Sequence, residues 1–260
     1  MLNLKKIYAL TFFFSLINYF SFAQVGVGTT SPKAALDVSS TNQGFLMPRI
    51  ALSATNVATL INPNGGTLET GTMVFNIGST SGTYAVYPGV YYWDGTNWVS
   101  QTHRYFQKNF TQSSDLVLAS SASTYTNVPG LVSQTFIAPY SGQYNMVFTG
   151  YLGAGTVDND ASKMGFVEGN FKFTVNGVDY RKYSHSTSFY NSNTSTNYLE
   201  LFNESNINVN VFLTAGQTCT INGSYNGVAD DNIDNAHPHI VGKSSLLGNN
   251  CEVNIMYLGR

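Results

Sequence analysis

Charge is what this chain has least of: only 10% of its 260 residues are Asp, Glu, Lys or Arg, well below the ~25% of ordinary soluble domains. The 12 basic residues form no cluster, which argues against nucleic acid as a partner. Uncharged polar residues, chiefly Asn, Ser, Thr, Gly and Tyr, must therefore form most of the surface.

Long apolar runs are scarce as well. The longest, Ile7–Ile17, is too short for an ordinary membrane span. Two lysines precede it and a small-x-small site, Ser21–Ala23, follows it, which is typical of a secretory signal peptide. The sequence thus predicts a signal peptide over residues 1–23, a secreted or cell-surface mature chain beginning at Gln24, and no later membrane span.

What remains is rich in β-forming residues. Stretches of Val, Phe, Tyr and Thr alternate with Asn-Gly and Ser-Gly turns, a pattern typical of an all-β fold. In Thr135–Gly150, Pro139 fixes φ and Ser141-Gly142 supplies a turn. After that turn, Tyr144, Met146 and Phe148 alternate with polar or smaller residues, which predicts a strand buried on one face.

Hairpins, loops and one helix complete the predicted elements. Hairpins are predicted over residues 88–101, turning at Asp94-Gly95, and over residues 170–180, turning at Asn176-Gly177. A single helix is predicted over Ser53–Ile61, capped by Ser53. The polar stretches Ser184–Thr196 and Gly227–Asn250 are predicted to be loops.

Three phrases in the first part of the mature chain carry a resemblance. GVGTTSPKAALDV, GFLMPR and YYWDGTNWV, in that order, resemble a module of secreted, fibre-like proteins of Bacteroidota and of phage tail-fibre-like proteins. In those proteins the module serves as a stalk before a variable C-terminal head. The resemblance implies a small β-rich stalk module over residues 24–104 and a head domain over residues 105–260.

The head carries a second resemblance. The phrase from Phe136 through Pro139 and Gly142 to Phe148 resembles the entry to the jelly roll of the tumour necrosis factor and complement globular-head superfamily. The final predicted strand, Cys251–Leu258, ends two residues before the chain does, as in that superfamily. The resemblance implies a β-sandwich jelly roll that assembles as a homotrimer.

The last strand also predicts where the trimer contact lies. Its alternation places Cys251, Val253 and Ile255 on one face, and Met256 and Leu258 on the other. In the superfamily resembled, the outer face of the sheet holding this strand packs against symmetry mates. Met256 and Leu258 are therefore predicted at a threefold interface.

The two cysteines, Cys219 and Cys251, follow the signal peptide and so belong to a compartment where disulfides persist. If their strand faces point inward, they lie on opposing sheets of one sandwich. A Cys219–Cys251 disulfide is the prediction. The alternative is two buried free thiols, which behave as small hydrophobic side chains.

Acidic residues are concentrated before the last strand. Asp230, Asp231 and Asp234 lie near His237 and His239. Oxygen-rich loops suit Ca²⁺, but the spacing matches no EF-hand, and a third zinc ligand cannot be identified. Solvated acidic loops are the favoured interpretation, so no cofactor is predicted and a calcium site is the alternative.

Tyrosines crowd the head. Tyr183, Tyr190, Tyr198 and Tyr225 are predicted as weak ligand-binding residues, because tyrosine-rich surfaces make adaptable binding faces. A strand tyrosine, however, is more often a half-buried core residue. Both interpretations stay open at this point.

Catalytic motifs are missing from the sequence: it contains no Gly-x-Ser-x-Gly elbow and no nucleotide-binding loop. The predicted function is a secreted, non-catalytic structural or adhesive protein, a homotrimeric fibre tip or adhesin-like head. Its partners would be copies of itself and a surface glycan or protein. The alternative is a carbohydrate-binding module that uses loop tyrosines and calcium.

Overall fold

The computed structural model describes residues 24–119, 124–158, 163–234, 238–242 and 249–259. The predicted signal peptide lies outside these residues. All regular secondary structure within them is β, in several sheets, so the predicted all-β class is confirmed. Within these ranges no helix has the length and apolar character needed to cross a membrane.

The chain divides into two compact units between Pro48 and Arg49. In the described part of the first unit, β1 (Val25–Val27) and β2 (Leu36–Val38) pair in parallel. The second unit holds every later strand. The predicted boundary between residues 104 and 105 falls inside this second unit, between two of its sheets, and stays a prediction.

The strands of the second unit are, in chain order, β3 (Arg49–Ile50), β4 (Met73–Asn76), β5 (Gly89–Trp93), β6 (Trp98–Ser100), β7 (Gln107–Thr111), β8 (Leu116–Leu118), β9 (Thr126–Asn127), β10 (Gln134–Ile137), β11 (Gly142–Ala154), β12 (Met164–Val175), β13 (Val178–Asn191), β14 (Thr196–Tyr198), β15 (Asn203–Leu213), β16 (Thr218–Asp231), β17 (His239–Val241) and β18 (Glu252–Gly259).

A four-stranded sheet, β3-β4-β5-β6, packs around its own small core, which includes Trp93 and Trp98. The predicted hairpin is present as β5 and β6, joined by residues 94–97. The Asp94 carboxylate accepts hydrogen bonds from the backbone N–H groups of Asn97 (2.6 Å) and Thr96 (2.8 Å). These bonds organise the turn and lower the pKa of Asp94.

The helix predicted over Ser53–Ile61 does not form, and this prediction was wrong. The segment is irregular, and its backbone forms hydrogen bonds to residues distant in the chain. Thr55 N–H donates to the Tyr84 carbonyl, and Trp98 Nε1–H donates to the Val57 carbonyl at 2.9 Å. A nine-residue helix is marginal on its own, so these tertiary bonds decide the conformation.

Two six-stranded sheets form a sandwich. The sheet here called the β11 sheet has the order β7-β18-β11-β17-β8, with β15 also paired to β11. The other, called the β12 sheet, has the order β10-β16-β12-β13-β14, with β9 paired to β16. The Asn176-Gly177 turn predicted between β12 and β13 is confirmed, with both residues at positive φ.

The main core lies between these two sheets. The Phe148 ring on β11 contacts Phe171 and Phe173 on β12, with centroids 5.6 and 5.8 Å apart, and all three side chains are fully buried. Gly223 makes room for this cluster, because a Cβ there would lie 2.8 Å from the Phe148 ring. The alternation predicted for β11 is therefore confirmed as its core-facing pattern.

Strands extend into both of the predicted loops. Residues 184–191 continue β13, and β16 extends to Asp231. Two of the three serines on the inner face of β13 are accommodated there by hydrogen bonds. Ser188 Oγ donates to the Ala154 carbonyl (2.8 Å) and Ser186 Oγ to the Leu201 carbonyl (2.7 Å). Composition alone therefore mistook a buried polar strand for a loop.

Candidate functional site

The outer face of the β11 sheet is nearly free of charge. Residues that alternate with the core on β11, β15 and β18 point away from the sandwich. They are Gln143, Asn145, Val147, Thr149 and Tyr151 on β11, Glu204, Asn206, Asn208, Asn210 and Phe212 on β15, and Glu252, Asn254, Met256 and Leu258 on β18. This surface is called the asparagine face below; it holds no Lys or Arg.

Cross-strand hydrogen bonds order the asparagine face. Asn145 Nδ2 donates to the Asn208 side chain and, at 2.8 Å, to Asn210 Oδ1. On the other side, Asn109 Nδ2 on β7 donates to Asn254 Oδ1 at 2.7 Å. These bonds hold the amide groups in rows across neighbouring strands, which gives a surface of ordered donors and acceptors.

One end of the asparagine face is apolar and the opposite end is acidic. Met256 (46% exposed), Leu258 and Phe212 lie near the start of β11. Glu204 and Glu252 lie beside Tyr151 and Thr149 toward the other end. The structure therefore places the two predicted interface residues together on an exposed surface.

The outer face of the β12 sheet has a different character. The Asp179 carboxylate forms an ion pair with Lys172 at 3.6 Å and a hydrogen-bonded ion pair with Arg181 at 3.3 Å. The Lys172 ammonium also lies 4.4 Å from the centre of the Tyr125 ring, a cation–π contact. Such mixed, partly exposed ion pairs are typical of a surface that faces solvent.

A cleft of about 540 Å³ lies in the second unit, between the four-stranded sheet and the start of β11. Arg104 forms part of its wall: the guanidinium stacks 4.7 Å from the Tyr87 ring centre and donates to Tyr91 Oη and Ser100 Oγ, both at 3.1 Å. Nothing in the sequence pattern singled out Arg104, because its partners meet only in the folded chain.

The cleft is also where the four-stranded sheet joins the sandwich. Tyr87 Oη accepts from Ser141 N–H at 3.1 Å, and Ser141 Oγ donates to the Gly82 carbonyl at 2.6 Å. Gly82 in turn forms a β-bridge with Ala215. These bonds hold both sides of the cleft in fixed positions.

The predicted Cys219–Cys251 disulfide is not formed, and both residues are buried free thiols. They lie at different levels of the sandwich. Glu252, the residue after Cys251, pairs with Thr149 on β11. The next residue on β11, Gly150, packs on Phe171, and Phe171 pairs with Tyr225 on β16. Cys219 is six residues from Tyr225 on β16, about 20 Å along a strand, whereas a disulfide needs Cα atoms within about 7 Å.

Burial sets the chemistry of both thiols. Loss of solvent raises the pKa of Cys219 to about 11 and the pKa of Cys251 to about 12. Very little thiolate is present at neutral pH, so neither thiol is a ready nucleophile.

Asp230, Asp231 and Asp234 do not assemble a metal site in the described structure. Asp230 and Asp231 are neighbours on β16, and no group of three or more His, Cys, Asp or Glu side chains there is placed to hold a metal ion. Asp230 Oδ2 instead lies 3.7 Å from Nε2 of the buried His239. His237, the other predicted ligand, lies outside the described residues.

His239 bridges the two sheets. The ring lies on β17, is fully buried, and its Nδ1 is 3.1 Å from Tyr225 Oη on β16. Burial lowers the pKa of His239, and the nearby Asp230 carboxylate opposes this shift. The predicted ligand-binding role of Tyr225 was wrong, because its side chain is in the core.

The other three tyrosines do not share a surface. Tyr183 and Tyr198 are about half exposed on the outer face of the β12 sheet, where Tyr198 pairs with Phe189. Tyr183 is six residues from that pair along β13, about 20 Å. Tyr190 lies on the opposite face of β13 and packs against the core. A common tyrosine-lined binding site is therefore not present at these positions.

Comparison with known proteins gives one family match. No curated protein matches the chain. Two solved structures of infectious bursal disease virus, one of its T13 particle and one of its Gx strain, are each 10% identical, with TM-scores of 0.25 and 0.24. They cover 64% and 62% of this chain, which spans 42% and 43% of theirs.

The family match covers the first part of the chain. Residues 26–117 match the family described as "Phage tail like trimerisation region". This match supports the predicted resemblance to phage tail-fibre-like stalks and a trimeric, fibre-like structural protein. The same match, over residues 26–117, also supports self-association as a homotrimer.

Proposed function

We propose that this chain is a secreted, non-catalytic adhesive protein that acts as a homotrimer, with residues 24–104 as stalk and residues 105–260 as the head. The asparagine face carries this proposal. It is a hydrogen-bonded surface without a basic residue, and it ends in exposed Met256, Leu258 and Phe212. Interface centres are depleted in charged residues and rich in Met and aromatic side chains.

The partner on this face is a second and a third copy of the same chain. The match to a trimerisation region supports threefold self-association. In a closed threefold assembly every copy uses the same pair of surface patches, and we place both patches on this nearly uncharged face. The acidic residues Glu204 and Glu252 lie toward one end, where the rim of an interface is solvated.

The test is cross-linking through the face itself. Leu258→Cys on a Cys219→Ala, Cys251→Ala background supplies one reactive thiol per chain near the proposed threefold axis. A short tris-maleimide should link three chains through these thiols, whereas Met164→Cys on the β12 sheet should give none. Linkage through Met164→Cys, or no linked trimer through Leu258→Cys, would refute the proposed orientation.

A further inference from the structure

We propose that the cleft around Arg104 binds a uronic acid unit of an acidic polysaccharide, with the guanidinium holding the sugar carboxylate. This inference supplies a ligand class for the adhesive role proposed above and rests on it. The cleft is lined by residues of one chain, and Leu258 of the proposed interface lies at its edge, so binding is measured together with the oligomeric state of the same sample.

The first support is the charge of Arg104. The ion pairs among the described residues involve Lys172, Arg181 and His239, so the half-buried Arg104 has no carboxylate partner in that part of the chain. A guanidinium has five N–H donors, and its bonds to Tyr91 and Ser100 use two. The rest can reach a carboxylate, the group that its planar fork fits best.

The second support is that Arg104 is held in place before any ligand arrives. Stacking on Tyr87 and the bonds to Tyr91 and Ser100 fix the plane of the guanidinium. Tyr91 Oη also accepts from Tyr87 N–H at 3.1 Å, so the supporting groups are themselves joined. Preorganisation of this kind lowers the entropy cost of binding.

The third support is the rest of the lining. Tyr84, which is 49% exposed, offers an aromatic surface, and Asn97 and Thr102 are polar groups on the same cleft. The Asp94 carboxylate also lines the cleft, and its Oδ1 is occupied by the backbone N–H groups of Thr96 and Asn97. A sugar ring presents an apolar face to an aromatic side chain and hydroxyls to amide and hydroxyl groups. The volume of about 540 Å³ is in the range of small-molecule sites and exceeds one sugar unit.

These features together favour an acidic sugar over other carboxylates. A simple carboxylate such as acetate would use Arg104 alone and leave the aromatic and hydroxyl-binding groups without contacts. A neutral sugar would leave the charge of Arg104 unused. A hexuronic acid uses the cation, the aromatic side chain and the polar rim at once.

The experiment is titration calorimetry of the full mature protein with trisaccharides of galacturonate, glucuronate and mannuronate. The matched probe is each trisaccharide with its carboxyl groups methyl-esterified. At least one acid form should bind at least tenfold more tightly than its ester, and 0.5 M NaCl should weaken that binding. The proposal is overturned if none of the acid forms binds below 10 mM, or if acid and ester bind equally.

Substitutions on the cleft wall and away from it test whether the trisaccharide binds in the cleft. Arg104→Lys keeps the charge but loses the planar fork, and Thr102→Glu places a competing carboxylate at an exposed position on the cleft wall. Each should weaken binding at least tenfold in a protein whose melting temperature shows that it is folded. The control is Arg181→Lys on the outer face of the β12 sheet, which should bind as the parent does. Unchanged binding in Thr102→Glu, or loss in Arg181→Lys, would exclude the cleft.

Failure of this inference is distinct from failure of the proposed function. Absence of uronate binding by a protein that is still a trimer refutes the ligand and leaves the assembly standing. Uronate binding by a protein that is monomeric refutes the assembly and leaves the cleft standing.

Discussion

The two sheets of the sandwich share one core and differ on their outer faces. The β12 sheet carries the Lys172–Asp179–Arg181 cluster, whereas the asparagine face of the β11 sheet has rows of amides and no basic residue. Charged groups lose favourable hydration when they are buried, and amides lose much less. The difference therefore indicates that the asparagine face can enter a dry contact and that the outer face of the β12 sheet remains in water.

Both outer faces also hold exposed apolar residues, so the apolar exposure of the two faces can be compared directly. Met256 on the asparagine face is 46% exposed, and Met164 on the β12 sheet is 51% exposed. Both methionines have exposed apolar neighbours: Leu258 and Phe212 lie at the same end of the asparagine face as Met256, and Phe189, itself paired with Tyr198, lies opposite Met164. Apolar exposure alone therefore does not distinguish the two faces, and the ion pairs of the β12 sheet do.

The largest effect on assembly is expected from a charge introduced among Met256, Leu258 and Phe212. Met256→Asp would bury three carboxylates in the trimer, at about 3–5 kcal/mol for each unpaired buried charge. We expect a folded monomer in size-exclusion chromatography with light scattering. Leu258→Asp should act in the same way.

The matched control is Met164→Asp, which makes the same change on the β12 sheet. It should leave both the assembly and the melting temperature nearly unchanged, because its carboxylate stays in water. If Met164→Asp dissociates the assembly and Met256→Asp does not, the faces have been assigned the wrong way round.

The next effect concerns the reactivity of the two cysteines buried between the sheets. Because burial raises the pKa of Cys219 to about 11 and the pKa of Cys251 to about 12, both thiols should react with a thiol reagent at pH 8 at least a hundredfold more slowly than in urea. In urea without reductant, two thiols per chain should titrate. Fewer than two would indicate that the disulfide exists after all.

A smaller effect is expected from pH. The folded-state pKa of His239 is lowered, so the unfolded chain binds the extra proton first and stability falls as pH drops below about 6.5, the ordinary histidine value. The melting temperature should be flat from pH 8 to 7 and decline from pH 6.5 to 5.

His239→Gln should flatten that decline, whatever its effect on the melting temperature at pH 7.5. The control is His185→Gln, which changes an exposed histidine on the β12 sheet and should keep the parent slope. An unchanged slope in His239→Gln would show that another group causes the pH dependence.

The smallest effect is expected on the solvent-facing side. Asp179→Asn removes the acid that Lys172 and Arg181 share. Exposed pairs contribute about 0–1 kcal/mol, so the free energy of unfolding should change by no more than that, and less in high salt. A loss of assembly in Asp179→Asn would place an interface on this face.

The sequence predicted the parts that local patterns determine. Alternation identified the core face of β11, and Asn176-Gly177 identified the hairpin turn between β12 and β13, because both signals lie within a few residues. The same alternation placed Met256 and Leu258 on an exposed face. Whether that face is a threefold interface stays a prediction, since it depends on other copies of the chain.

The sequence-based predictions were wrong where contacts between residues far apart in the chain determine the structure. Ser186 and Ser188 belong to a strand because carbonyls of other strands accept their hydroxyl groups, and no local pattern reveals this. The predicted disulfide failed because inward-facing positions do not tell how far apart two residues are along the sandwich. Arg104 went unnoticed for the same reason, since its aromatic and hydroxyl partners come together only in the fold.

The most direct test of the account is the mass of the folded mature protein in solution. Light scattering at several concentrations should give three times the chain mass found for the same sample by mass spectrometry. A trimer that persists on dilution, and that Met256→Asp alone converts to a monomer, is the predicted result. A monomer at every concentration, or a dimer, would contradict the assignment of the asparagine face as a threefold interface.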